Sequence, residues 1–565
     1  MSAAQFSSIS QYLPLQEDPS SGDLRWAQSV EDVLTAVALG PDSSLVSSGQ
    51  ALCDCIIDMR GKMIQFWDFS AEYAESVRLG LTQLFDALED AKEFFTFTLP
   101  GMATLALQLP ELLKEHVEEA SNICGDSTPL KLRVLNPQQS GMVLLQQRLI
   151  AAILACAFFC LYPGGRTDHD LRPISFDSLF VRVPGKRHQV EKIKCLIHYF
   201  QEVCSSMPQG RVSFERKVLP RRRSHSSLRP VATFPDELFW KRSQRPLCAM
   251  KVVERGGIED AGPDYLQADF ANRYLGGGAL RLGCVQEEIR FMIIPELIAG
   301  MLFMSPMAEN ESIEITGAQQ YSGYKGYASS FMYAGSFVDT TPTDSWGRRR
   351  TCLTAIDALC RPGEAQFEVE MVLREVNKAF CGFLPHSALC GAVEIWKSDD
   401  KAEASQTKAV EQEMIASMEK LLKDEPGEGS SEGDPETSCS MHQVHKGVAT
   451  GNWGCGAFGG NLHLKCLLQW IAASEAGRSE VLYYTFRDER AEKLQEVIDW
   501  ILEKRWPICR LWTVIAEYAK RRLKPQGGLK HMLKQKKHTP KHTKHIPKQE
   551  LFDWILANSG SGSSS

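Results

Sequence analysis

Two adjacent carboxylates, Glu287 and Glu288, follow a triple glycine, Gly276-Gly277-Gly278, across a short spacer, with Gln286 directly before them. Glycine admits φ > 0 and lets the backbone approach a ligand with no Cβ in the way. The N–H groups of such a turn form a concave nest suited to a phosphate or pyrophosphate. Neighbouring carboxylates disfavour double ionisation, so one of them can hold its proton toward neutral pH and act as a general acid. A phosphate cradle beside an acid pair suits a substrate that carries a diphosphate and an acid-labile bond, and a nucleotide sugar has both. A Gly-rich turn followed by a solvated Glu pair is an equally good reading of the motif by itself.

A second glycine loop runs Gly451-Asn452-Trp453-Gly454-Cys455-Gly456-Ala457-Phe458-Gly459-Gly460-Asn461, just before a helix expected from Leu462. Glycine weakens a chain unless its backbone freedom is used, and a helix N-terminus favours an anion, so this loop reads as a second anion cradle. Cys455 has no His in a supporting pattern and is not read as a nucleophile. A third cluster, Tyr321-Ser322-Gly323-Tyr324-Lys325-Gly326-Tyr327, offers ring faces to a planar base. Tyrosines alternating along a strand explain the same spacing, and the residues alone favour that.

These loops need a frame. Strand-like runs occur near Val212-Ser213-Phe214 and Met250-Lys251-Val252-Val253, and over 311–316, 331–337, 350–356 and 483–486. Helical patterns over 368–380 and 462–474 alternate with them. Such alternation predicts an α/β architecture with ligands held in loops over strand ends. Residues 29–200 read as helical: apolar spacing predicts helices over 77–95, 102–117, 146–161 and 190–203, with a break at Leu99-Pro100-Gly101 and Pro110 near a helix start. The Glu pair is expected on a strand or loop, where neighbouring side chains point in different directions.

At 565 residues the chain is too long for one ordinary core, and its 43% hydrophobic and 24% charged content is that of a soluble globular protein. The net charge of −7 hides an asymmetry. An insertion over 398–442 is acidic toward its end, where it is expected to be disordered, after a possible solvated helix over 408–423. The tail over 524–565 is basic and expected to be disordered, although Leu551-Phe552-Asp553-Trp554-Ile555-Leu556 reads as a candidate partner-docking segment. No secretory signal or membrane span is visible. The 17 cysteines form no CxxC or spaced Cys/His set, so they are expected to be reduced core residues; no metal and no cofactor are expected.

GGG, a short spacer and QEE, together with Asp269-Phe270-Ala271-Asn272 and the Gly451–Asn461 loop in that order, resemble the poly(ADP-ribose) glycohydrolases of eukaryotic type. Leu105-Ala106-Leu107-Gln108-Leu109-Pro110, Ala157-Phe158-Phe159-Cys160 and Phe176-Asp177-Ser178-Leu179-Phe180 resemble the family's helical region, so the likeness covers most of 90–520. The resemblance implies a macrodomain-like α/β/α sandwich with a mixed central sheet over 206–523, preceded by an all-helical accessory domain over 1–205. It implies hydrolysis of ribose–ribose O-glycosidic bonds with release of ADP-ribose. Glu288 would be the catalytic acid on the leaving 2′-oxygen, Glu287 would bind ribose hydroxyls, and Asp269 and Asn272 would hold the adenine and ribose end. Gly276, Gly277 and Gly278, with Asn452, Gly454, Cys455, Gly456, Ala457, Phe458 and Gly459, would line the diphosphate and terminal ribose, beside Gln286. Tyr327 and Tyr324 would cover the adenine or ribose, and Phe486 would stack on the adenine.

A usual glycosidase places its two carboxylates on opposite sides of the bond. Sequence neighbours cannot easily do that, so one Glu acting as acid and base, with water attacking an oxocarbenium-like centre, is expected. Arg281 in the spacer and Asn461, where an acidic residue is familiar in the family, depart from the pattern. The competing reading is a macrodomain that binds ADP-ribose without cleaving it; the intact acid pair favours an enzyme. Expected partners are poly(ADP-ribose) and ADP-ribosylated proteins, with no base-specific nucleic-acid readout. No membrane partner is expected, and the chain is expected to be a monomer in the nucleus, the cytoplasm or both.

Overall fold

A computed structural model describes residues 9–63, 69–124, 130–163, 171–222, 232–233, 235–385, 447–523 and 549–557. The expected acidic insertion and the basic tail as far as residue 548 lie outside these residues. The chain forms two compact units, each discontinuous in sequence. The first comprises Met1–Arg216, Asp269–Ala308 and Ile313–Ala355; the second comprises Lys217–Ala268, Glu309–Ser312 and Ile356–Ser565. This differs from the linear division expected at 205/206, because residues 269–308 pack on the helices that precede them in sequence.

The first unit is built on helices Gln28–Ala38, Gly49–Gly61, Ala71–Asp86, Leu99–Leu107, Leu109–Cys124, Gln147–Phe158 and Arg187–Ser205. Ser48 and Ser70 begin two of them, each hydroxyl accepting an otherwise orphaned N–H three residues on. The Gln147–Phe158 helix is buried on every face, and the rings of Phe180 and Phe200 stand edge-on to Phe158 at 5.4 and 6.0 Å. The Phe and Leu residues of these helices form one continuous core.

Two local expectations are corrected. The helix expected over 77–95 ends at Asp86, and the break expected at Leu99-Pro100-Gly101 does not occur. A π-turn over Phe94–Thr98 runs directly into the Leu99–Leu107 helix, with Pro100 in its first turn, where a missing N–H is harmless. Within the stretch read as helical, Gly141–Gln146 is a strand, antiparallel to Arg211–Val218. Its run Met-Val-Leu-Leu is too short to separate strand from helix by period.

The remaining strands of this unit are antiparallel too: Cys352–Ala355 pairs with Glu311–Thr316, and Ser322–Lys325 with Met332–Ser336. In the second unit four strands are parallel, in the order Tyr265–Asp269, Gly447–Gly451, Glu480–Tyr484, Ala249–Val253, beside a short antiparallel pair, Arg221–Arg222 with Ala232–Thr233. Gly447–Gly451, the helix Leu462–Glu475 and Glu480–Tyr484 make one βαβ crossover, which places the second glycine loop at the carboxyl end of a strand. Both strand arrangements were expected of a mixed α/β fold.

The closing segment is not a free docking peptide. Leu551–Ala557 is a helix whose Leu551, Phe552 and Ile555 are buried against the second unit, with Phe552 stacked on His463 at 3.8 Å and 11°. The tail therefore does not remain disordered through this stretch.

Candidate active site

The Glu pair lies in the first turn of a helix, Gln286–Ile293, and not on a strand or loop. Successive helical residues point about 100° apart, yet both carboxylates are buried, at 3% and 7% exposure. What admits them is the glycine loop. Glu287 accepts the N–H of Asn272 at 2.8 Å and of Gly276 at 2.7 Å, one on each oxygen. Glu288 accepts Gly278 N–H on Oε1 and Val285 N–H on Oε2, both at 2.9 Å. The Val285 bond closes the helix N-terminus, where an acidic side chain also meets the positive end of the helix dipole.

The triple glycine therefore does not hold a phosphate in the way its composition implied. Gly276 and Gly278 spend their N–H groups on the two glutamates, and Gly277 donates to the carbonyl of Tyr274 at 3.0 Å. The nest is real, but its anions belong to the protein. Left-handed backbone is needed at Gly276 (φ 80°) and Gly277 (φ 50°). A Cβ on Gly283 would meet Glu288 Cδ at 2.6 Å, so the spacer also presses on the acid.

Around the pair stand other residues singled out in the sequence. Asp269 ends the strand Tyr265–Asp269, is 2% exposed, and its Oδ1 has no hydrogen-bond partner. Burial, reinforced by the charge of Glu288, pushes its carboxyl up to about 7 against the pull of Arg290. Burial also raises Glu287 well above the usual range, with Asp269 and Glu288 adding to it and its two backbone donors opposing. Gln286 accepts Phe270 N–H at 2.8 Å and gives its own N–H to the Tyr327 hydroxyl at 3.2 Å. Asn272 turns its Oδ1 back onto Tyr274 N–H. Tyr324 lies on the strand Ser322–Lys325 and stacks on Phe331 at 6.0 Å, so for it the strand reading holds, while Tyr327 follows the strand with its ring partly open.

In the second unit the loop after Gly451 is tied from behind. Trp453 donates to Ile356 O at 2.9 Å, Asn452 bonds Thr485 O and the Tyr483 hydroxyl, and Arg490 bonds Cys455 O. Gly459 and Gly460 donate to the carbonyls of Gly456 and Gly454. The consecutive N–H groups of Gly456, Ala457 and Phe458 donate to nothing among the described residues, in an exposed turn whose Phe458 carbonyl is pinned by Arg361 N–H at 2.8 Å. Three successive free N–H groups make an anion nest. Cys455 is buried and its thiol is pushed up to about 12, which suits no nucleophile. Asn461 serves as the N-cap of Leu462–Glu475, accepting Leu464 N–H at 3.0 Å. Phe486 is 63% exposed at φ 51°, followed by Arg487 at φ 55°; such strained pairs collect at functional loops.

Two residues absent from the sequence reading touch the acid loop. Arg172 donates to Gly277 O, and Lys192 to the carbonyls of Arg281 and Gly283, all at 2.8 Å. Arg281 itself points to solvent. Residues 238–493 match the family model described as poly(ADP-ribose) glycohydrolase, macro domain fold, and residues 87–216 match that of its helical domain. Poly(ADP-ribose) glycohydrolase 1 of Arabidopsis thaliana is 42% identical over 92% of this chain and 95% of that protein. The chain belongs to the poly(ADP-ribose) glycohydrolase family.

Probable poly(ADP-ribose) glycohydrolase 2 of the same plant is 40% identical over 92% of this chain and 96% of its own length. Poly(ADP-ribose) glycohydrolase 1 of Caenorhabditis elegans is 28% identical over 74% of this chain and 47% of its own length. The matches give a helical domain and a macro domain fold in that order along the chain, as the resemblance implied, although the compact units draw on both stretches.

Proposed function

We propose that the chain hydrolyses the ribose–ribose O-glycosidic bonds of poly(ADP-ribose) and releases ADP-ribose, with Glu288 as general acid and base. The observation that carries this reading is the buried cluster of Asp269, Glu287 and Glu288, in which burial and the neighbouring carboxylates raise the carboxyls of Asp269 and Glu287. Glu288 gives its proton to the departing 2′-oxygen as the C–O bond to the anomeric carbon breaks. The oxocarbenium-like centre is then attacked by water, and the Glu288 carboxylate takes the proton that water loses. Glu287, anchored through both oxygens, is the ribose-binding partner, and the unpaired Oδ1 of Asp269 is an acceptor waiting for a ligand hydroxyl or for the proton it shares with the cluster.

In this reading the diphosphate falls to Gly456, Ala457 and Phe458, whose N–H groups donate to nothing among the described residues, and not to Gly276–Gly278, whose N–H groups are engaged. Tyr327, 36% exposed, serves the adenine or its ribose, Phe486, 63% exposed, stacks on the adenine, and Phe458 orients the terminal ribose.

The test is release of free ADP-ribose from poly(ADP-ribose) by wild type and by Glu288→Gln, which keeps shape and loses the acid. Release by wild type, with a variant that binds polymer and does not cut it, supports the assignment. A wild type that binds polymer and never cuts it would make the chain a reader.

A further inference from the structure

The peptide between Gly277 and Gly278 has a cation at one end and an acid at the other. Its carbonyl accepts Nη1 of Arg172 at 2.8 Å, and its N–H donates to Oε1 of Glu288 at 2.9 Å. The peptide group is planar and rigid, so fixing the direction of its oxygen fixes the direction of its N–H. Arg172 is itself held, its guanidinium 4.2 Å above the ring of Tyr274. Farther along the loop, Lys192 binds the Arg281 and Gly283 carbonyls, on either side of Leu282. Lys192 comes from the helix Arg187–Ser205 and is fully buried. Burial lowers its ammonium to about 8, with Cys284 and then Glu288 opposing the fall.

A surface loop needs no buried lysine to stay closed, because carbonyls at its rim can be left to water. Burying an ammonium group is expensive unless it is fully bonded. Here two cations from residues before 216 are brought under one loop, and both bind its carbonyl oxygens.

We infer that Arg172 and Lys192 are positioning residues that turn the carbonyls of the acid loop away from Glu288, so that the Gly278 N–H meets its carboxylate. The inference rests on the reading of Glu288 as the acid. As Glu288 gives up its proton, negative charge grows on a carboxylate that already faces an N–H backed by a guanidinium. Aligned dipoles of this kind stabilise charge that develops in the transition state, and hydrogen bonds in a chain polarise one another. Residues of the helical region thereby take part in the acid's work without touching substrate.

The test compares Arg172→Met, Arg172→Lys and Lys192→Met in the full chain. Turnover of poly(ADP-ribose) is normalised to sites titrated calorimetrically with ADP-ribose, so that misfolded protein is not counted. Removing a direct oxyanion donor lowers kcat on the order of a hundredfold or more; acting through one peptide, Arg172→Met and Lys192→Met are expected to lower kcat about tenfold. ADP-ribose affinity should stay within about threefold, because the Gly278 N–H serves the acid and not the ligand. Arg172→Lys keeps a cation able to reach one carbonyl and should recover most of the loss. Per-site kcat equal to wild type in the Met variants would overturn the inference. If Lys192→Met fails to fold, the Arg172 pair decides alone. Full activity of Glu288→Gln in the same assay would instead remove the acid assignment beneath it.

Discussion

Gly277 and Glu288 occupy neighbouring space that leaves no room for a side chain on the glycine: a Cβ at position 277 would lie 2.7 Å from Oε1 of Glu288, and 2.5 Å from Oε2 of Glu287. The glycine is there to make room for the acids, and its φ of 50° adds a second demand. Gly277→Ala should therefore displace both carboxylates. The expected result is at least about a hundredfold loss of ADP-ribose release, with about 1–3 kcal/mol of destabilisation from strain and overpacking. Turnover measured beside urea unfolding checks both, and an active, stable Ala variant would mean that the loop relaxes more than its packing suggests.

Asp269 gives the site a pH dependence of stability with a definite sign. Its carboxyl is held at about 7 in the fold against 3.8 for an ordinary aspartate. The folded state then binds more protons than the unfolded chain between these values, so the stabilisation is full below about pH 4 and is lost as pH rises through 7. Asp269→Asn removes the titration. Above pH 7 its melting temperature should exceed that of wild type by a few degrees, and at pH 4 the two should converge, although activity falls. An equal difference at both pH values would show that Asp269 does not titrate abnormally.

A buried ion cluster lies beneath the second glycine loop. Asp357 bonds Nη2 of Arg374 at 2.6 Å and Nζ of Lys378 at 2.7 Å, and Lys378 is fully buried. Its neighbour Ala358 is close enough to Gly454 that a Cβ there would lie 2.5 Å away. Asp357→Asn removes the carboxylate that both buried cations face and should destabilise by about 3–5 kcal/mol. The Asp357 carboxyl is held below its usual range despite its burial, by Lys378 and then Arg374. This stabilisation is present at neutral pH and is lost as pH falls through the lowered value. Denaturant midpoints at pH 7 and pH 4 should therefore differ more between wild type and variant at the higher pH.

The C-terminal helix is anchored by Leu551, Phe552 and Ile555, with Phe552 flat against His463. Phe552→Ala removes a buried ring, a change that costs about 3–5 kcal/mol in a core, and here acts on a helix of only seven residues. Amide exchange should show 551–557 losing protection while 462–475 keeps it. Loss of protection in both segments would mean that the helix is a pillar of the second unit.

Much of this was legible in the chain. The strand Glu311–Thr316 follows from its alternating isoleucines, Ile313 and Ile315, and the helix starting at Leu462 from its length and the Asn461 cap before it. The acids and both glycine loops stood out because few other structures need such residues at such spacing. What could not be read was which anion the first loop holds. A glycine nest looks the same in sequence whether it receives a phosphate or a carboxylate from ten residues downstream.

Arg172 and Lys192 were silent for a different reason. Lys192 is one polar position in an amphipathic helix, and Arg172 precedes a proline in a connecting stretch. Neither lies within 80 residues of its partner carbonyls, and long-range pairing leaves no local period. Leu551-Phe552 was misread because an apolar pair beyond a basic tract is as well suited to its own chain as to a partner.

The assignment of 269–308 to the same compact unit as the first two hundred residues bears on how this protein can be cut. A fragment opened at 217 would keep the parallel strands and the free nest at 456–458. It would also keep Glu288 itself, but on a helix whose buried Ile289, Phe291, Met292 and Ile293 had lost the surface they pack on. The macrodomain is thus not a detachable module here: the linear order suggests a dispensable prefix, whereas the packing makes those residues the bed in which the acids are set.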